Sequence, residues 1–226
     1  MNDTFREIAK LIDHALLRPT LTIEELEQGI QTALEYDVAS VCIVPYYLPR
    51  CAHLLKGSDV KAGTTVGFPH GSHSVATKVA EARQALEDGA EELDMVININ
   101  QVLSGNWNFV RDDIQAVIDV THGVGKKVKV IFENCYLNQD QKIHLCQICS
   151  ELKVDWAKTS TGFGTHGATI EDVKLMRRHL PSHVQVKAAG GIRDLETLLA
   201  FRAAGATRIG TSHTAQILQE WKRRLT

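Results

Sequence analysis

Residues 92–99, ELDMVINI, carry two chemistries in alternation. Leu93, Met95, Ile97 and Ile99 fall on one side of an extended chain, and Asp94, Val96 and Asn98 fall on the other. In a parallel sheet connected through helices, the side that meets the helices is apolar, so this segment turns Asp94 inward. KVKVIFEN (127–134) repeats the pattern, with Val128, Val130 and Phe132 outward and Lys129, Ile131 and Glu133 inward. In VQVKAAG (184–190), Val184 and Val186 face out while Gln185 and Lys187 face in. VDWAKTS (154–160) places Lys158 inward only if Trp156 also turns inward and Asp155 turns out.

Four further segments rich in small and β-branched residues read as strands: LIDHAL (11–16), ASVCIVP (39–45), GTTVGFP (63–69) and TRIGTS (207–212). Between the strands lie helical patterns such as TIEELEQGIQTALEY, SVATKVAEARQALED, NFVRDDIQAVIDV, TIEDVKLMRRHL and LETLLAFRAAG. Three helix-to-strand joints (ALEYDVASVCI, ALEDGAEELDMV, AFRAAGATRIG) resemble one another, as stacked βα units would. Eight strands alternating with helices predict an α/β fold, a (β/α)8 TIM barrel of parallel strands with outer helices, as a single domain over residues 1–226. An open doubly wound sheet is the alternative. The carboxyl-terminal QILQEWKRRLT reads as a final packing helix, with a partial interface as the alternative.

Composition narrows the partners. Lys plus Arg number 25 against 27 Asp plus Glu, a net charge of −2, which gives no reason to expect nucleic acid or an anionic membrane. No apolar run approaches the ~20 residues that span a bilayer, and MNDTFREIAKLIDHALLRPT carries charges where a signal sequence would be apolar. Five cysteines (Cys42, Cys51, Cys135, Cys146, Cys149) suit free thiols in a reducing, cytoplasmic setting, and Cys146 and Cys149 share the apolar side of a helix. The expected partner is a small molecule, and the outer helices leave association into a homo-oligomer open.

An interior holding Asp94, Lys129, Glu133, Lys158 and Lys187 is costly to bury, whereas a structural barrel fills these positions with Val, Ile and Leu. Internal ion pairs are the structural alternative and a poor source of stability. Lys158 and Lys187 fall on adjacent strands. At ~6 Å and an effective dielectric of ~20, two ammonium groups repel by roughly 2.8 kcal/mol, or about two pKa units. Desolvation adds to this and favours a neutral amine, which attacks carbonyls to form a Schiff base. Asp94 with Lys187 would shuttle protons, and residue types alone leave open which lysine is the nucleophile.

LIDHALL, VGFPHG, LDMVINI, WAKTSTGF, VKAAGGIRD and RIGTS, in this order from about residue 11 to residue 212, resemble the deoxyribose-phosphate aldolase family of class I aldolases. The resemblance implies a (β/α)8 barrel with Lys158 as Schiff-base lysine, Lys187 as the neighbour that depresses its pKa, and Asp94 as acid/base partner. It implies reversible cleavage of 2-deoxyribose 5-phosphate to acetaldehyde and glyceraldehyde 3-phosphate, with no metal and no cofactor. Asp13 in LIDHALL matches an acidic family position that assists proton relay.

Phosphate in such barrels sits at the loops after strands seven and eight. Gly190, Gly191 and Arg193 follow Lys187, and Gly210, Thr211 and Ser212 are read as opening the last helix; Gly162 gives a third close approach. His213 stands where the family commonly has a small or hydroxylated residue. Other readings are another class I aldolase or transaldolase-like enzyme, a non-catalytic sugar-phosphate-binding barrel, and a metal-dependent enzyme using His70 and His73, which read as loop residues lacking an acidic third ligand.

Overall fold

In the computed structural model, residues 3–225 are described. Eight strands close in sequence order into a barrel: β1 (Ile12–Leu16), β2 (Ser40–Ile43), β3 (Lys61–Val66), β4 (Glu92–Val96), β5 (Lys127–Ile131), β6 (Trp156–Lys158), β7 (Gln185–Ala189) and β8 (Arg208–Thr211). Every neighbouring pair is parallel, and β8 returns to β1 with Ile12 opposite Ile209 and Asp13 opposite Gly210. The expected barrel is therefore present, and the open sheet is not.

Ten α-helices accompany the strands among the described residues: α1 (Phe5–Ala9), α2 (Ile23–Glu35), α3 (Leu48–Leu55), α4 (Val75–Glu87), α5 (Ile99–Leu103), α6 (Trp107–His122), α7 (Gln139–Glu151), α8 (Ile170–His179), α9 (Leu195–Ala203) and α10 (Thr214–Leu225). Local sequence sets most of their starts. Thr22, Ser74, Asn138, Thr169 and Asp194 each accept a hydrogen bond from the backbone N–H three residues on, and Thr22 and Asn138 complete capping boxes with Glu25 and Gln141. No helix among the described residues is long and apolar enough to cross a membrane.

The core fills the space between strands and helices. Leu93, Met95, Val128, Val130, Phe132, Val184 and Val186, the outward set, are wholly buried against the helix layer. Cys146 and Cys149 are buried in α7 as expected, and all five cysteines are free.

Several strands stop earlier than their apolar runs. β4 ends at Val96 because Asn98 accepts a hydrogen bond from the N–H of Gln101 and caps α5; Asn98 therefore does not enter the barrel as read from parity. β5 ends at Ile131 because Glu133 adopts φ +54° and turns the chain. A ladder bond persists one residue past the strand at Ile97, Phe132 and Thr159, whose N–H groups donate to the carbonyls of Ile131, Lys158 and Lys187.

Candidate active site

Register places Lys158 of β6 directly opposite Lys187 of β7, and Asp94 of β4 opposite Lys129 of β5. Lys158 Nζ and Lys187 Nζ each donate to Asp94 Oδ2 at 2.7 Å, and Lys129 Nζ donates to Oδ1 at 2.9 Å. The two amines share one carboxylate oxygen and are immediate neighbours. All four side chains are buried. Asp13 of β1 joins from the other side: its Oδ2 lies 2.5 Å from Lys187 Nζ, and its Oδ1 accepts from Ser40 Oγ at 2.6 Å and from Arg208 Nη1 at 2.5 Å.

The same functional group acquires different acidities within this cluster. Burial drives the Lys158 amine below its ordinary pKa; Asp94 pulls it back up, and the Lys187 ammonium adds to the lowering. Desolvation thus outweighs the charge repulsion expected from the sequence as the leading cause. Burial opposes charge on Lys187 as well, yet Asp13 and Asp94 together raise its pKa above the usual value. On Asp94, burial is overcome by Lys129, Lys158 and Lys187, which hold the carboxyl well below the carboxylate range. The arrangement therefore makes Lys158 easier to deprotonate than Lys187.

Above the amines opens a cavity of about 570 Å³. Lys158 and Lys187 line it with Gly162, Gly190, Gly191, Arg193, Gly210 and Ser212, so every residue read as a phosphate neighbour meets the two lysines in one space. Gly190 is required there: it has φ +87°, and a Cβ on it would come within 2.8 Å of Gly167 Cα in the loop after β6. Gly210 and Thr211 belong to β8 rather than to the helix expected at that point, since α10 starts at Thr214. The N–H of His213 donates to Thr211 Oγ1, and its side chain reaches the cavity wall beside Ser212.

The run TST after Lys158 is explained by these contacts. Thr159 Oγ1 accepts from the N–H of Ala189 and so ties the end of β6 to β7. Thr161 donates through both its N–H and its hydroxyl to the Glu133 carboxylate. Glu133 is therefore buried outside the lysine cluster, a correction to its expected place inside the barrel: its left-handed backbone carries it over the end of β5 to anchor the following loop.

Sequence reading missed Arg18, Cys42 and Phe163, which line the cavity, and Glu92 and Arg208, which complete the buried charges beneath it. Glu92 stands two residues before Asp94, and Arg208 two before Gly210, so inward parity applied to every strand would have found both. Arg18 lies in a loop, where no periodicity marks it. His70 is exposed and His73 half-buried; among the described residues no three His, Cys, Asp or Glu side chains form a group that could hold a metal.

Comparison with known proteins agrees with the barrel fold. A family model for DeoC/LacD family aldolases matches residues 7–220. The chain is 60% identical over 221 residues to a deoxyribose-phosphate aldolase of Rhodopirellula baltica, covering 98% of this chain and 92% of that one. It is 46% identical to a deoxyribose-phosphate aldolase of Caldanaerobacter subterraneus, with 98% and 96% covered. Among solved structures, one described as the unique tetrameric structure of deoxyribose phosphate aldolase from Aeropyrum pernix superposes with a TM-score of 0.90 at 30% identity, covering 97% of this chain and 92% of that chain.

Proposed function

The chain belongs to the DeoC/LacD family of aldolases, and from that premise we propose how it works. It is a class I aldolase that reversibly cleaves 2-deoxy-D-ribose 5-phosphate to acetaldehyde and D-glyceraldehyde 3-phosphate, with Lys158 as its nucleophile. The neutral Lys158 amine leaves Asp94 and attacks the aldehyde carbon of the open-chain sugar; loss of water gives a protonated imine. Removal of the proton from the C3 hydroxyl breaks the C2–C3 bond. The two electrons of that bond move toward the imine and give an enamine, while C3 becomes the carbonyl of the departing glyceraldehyde 3-phosphate. Protonation at C2 and addition of water then release acetaldehyde and restore the amine. Lys187 and Asp94 carry the protons, Lys187 as the charged donor and Asp94 as the ionised acceptor that keeps both amines aligned.

The observation that carries this reading is the meeting of a buried amine of lowered pKa with a cavity lined by glycines and a guanidinium. Gly162, Gly190, Gly191, Arg193, Gly210 and Ser212 receive the phosphate: the glycines allow close approach to the backbone, and Arg193, with Arg18 also lining the cavity, supplies charge. A cavity that only bound a sugar phosphate has no use for a buried lysine of lowered pKa beneath it. The free cysteines support a cytoplasmic setting, and the tetrameric relative supports a homo-oligomer.

Incubation with acetaldehyde and borohydride should add a two-carbon unit to the peptide bearing Lys158, seen by mass mapping. Lys158→Met should abolish both the adduct and the cleavage of 2-deoxyribose 5-phosphate. Turnover retained in that variant would sink the reading.

A further inference from the structure

Inside the barrel, charge does not balance. Three carboxylates (Asp13, Glu92, Asp94) face four bases (Lys129, Lys158, Lys187, Arg208) in one connected set of contacts. A water-poor interior favours the ionisation state of least net charge, and this set becomes neutral when one base gives up its proton. The contacts identify which base that is. Arg208 holds Asp13 at 2.5 Å and Glu92 at 3.0 Å. Lys129 holds Glu92 at 2.5 Å, Asp94 at 2.9 Å and Asp13 at 3.4 Å. Lys187 holds Asp13 at 2.5 Å and Asp94 at 2.7 Å. Lys158 has Asp94 alone.

Glu92 and Arg208 open β4 and β8 at the end of the barrel away from the cavity, and neither lines the space that holds Lys158. They nevertheless enter the same count, because Glu92 occupies Lys129 and Arg208 occupies Asp13. Taking Lys158 as the imine-forming amine, we propose that Glu92 and Arg208 are positioning residues that govern the charge of Lys158 from across the barrel, without touching substrate. The groups facing Lys158 come from every element around it, and from the loops above, Arg18, Arg193 and His213 share its cavity in every variant. β1 gives Asp13, β4 Asp94 and β7 Lys187; β5 and β8 act through Lys129 and Arg208. β2 gives Cys42, whose thiol stays neutral because burial, aided by Asp94, raises it to about 11. Interior positions of β3 are Lys61, which opens the strand half-exposed and pairs with Glu91 at 3.6 Å, and Gly63 and Thr65, which do not titrate. Glu133, beyond β5, is taken by Thr161.

The test is the pH midpoint of acetaldehyde trapping at Lys158 by cyanoborohydride, followed by mass mapping, in the parent protein, Glu92→Gln, Arg208→Gln and the double variant. Losing the Glu92 charge should move the midpoint to lower pH, and losing the Arg208 charge should move it to higher pH. Each shift should be about one pH unit, as expected for a unit charge roughly 10 Å away at an effective dielectric of ~20. The double variant should return close to the parent value. A purely structural role lowers adduct yield without moving midpoints in opposite directions. Unchanged midpoints, or shifts of the same sign, overturn the proposal. If Glu92→Gln does not fold, Arg208→Gln and the double variant decide the matter alone. Absence of any adduct in the parent would instead overturn the assignment of Lys158 itself, and this inference with it.

Discussion

Lys158 and Lys187 stand side by side at the same height on adjacent strands, and their carboxylate partners make them chemical opposites. Lys187 has two close carboxylates and keeps its proton; Lys158 has one and tends to lose it. Replacing Lys187 by Met removes both a proton carrier and a repelling charge. The expected result is a fall in kcat/KM of about 10²–10⁴-fold, the range attributed to one acid–base group. The pKa of Lys158 should also rise once that repulsion is gone, so the acidic limb of the pH–rate profile should move to higher pH. An unmoved limb would show that Lys187 does not act on Lys158 through its charge. The lysines and Asp94 were legible in the sequence because an ionisable residue at an inward parity position contradicts a structural core. Arg208 and Glu92 share that parity and were passed over, because a charge on the first residue of a strand reads as solvated until closure of the barrel covers it.

The helices and strands were legible for a different reason. Capping residues and the apolar faces are written locally, whereas the point where a strand leaves the barrel depends on backbone turns such as Glu133 and on caps such as Asn98. One contact between elements had no signal at all. Lys78 of α4 is wholly buried, donating to Asp113 of α6 at 2.6 Å and to the carbonyl of Val96 at the end of β4 at 2.7 Å. In α4 the sequence reads as an ordinary surface lysine, and its partner lies 35 residues further on. Burial lowers the pKa of Lys78 and raises that of Asp113, so the pair resists charging on both sides. Lys78→Met should destabilise the fold by about 3–5 kcal/mol in urea denaturation, because it strands Asp113 in a dry interface. Adding Asp113→Leu should recover most of that loss. A single variant as costly as the double one would mean that the Val96 contact, not the ion pair, carries the effect.

At the scale of the whole molecule, closure between β8 and β1 is what unites the two halves of the site, and α10 packs across that seam. His14 of β1 faces outward there, with Nδ1 2.8 Å from Thr214 Oγ1 at the start of α10. Burial pulls its imidazole down to about 4, because charging it inside this seam is unfavourable. The unfolded chain, with an ordinary value near ~6.5, therefore binds the proton first as pH falls. Folding keeps its full advantage at this site above about pH 6.5, loses it progressively toward pH 4, and changes little below that. The loss should reach about 2 kcal/mol by pH 5, measured as the difference in urea unfolding free energy between pH 7 and pH 5. His14→Gln keeps a hydrogen-bonding group toward Thr214 without titrating, so its stability should depend on pH less steeply across that interval by the same amount. Asp13 and Asp94, held below the carboxylate range by the lysines and Arg208, do not mask the effect, because their contributions disappear only at more acidic pH. Parallel curves for the parent and His14→Gln would show that the seam opens before His14 takes up its proton, and that closure is weaker than its packing suggests.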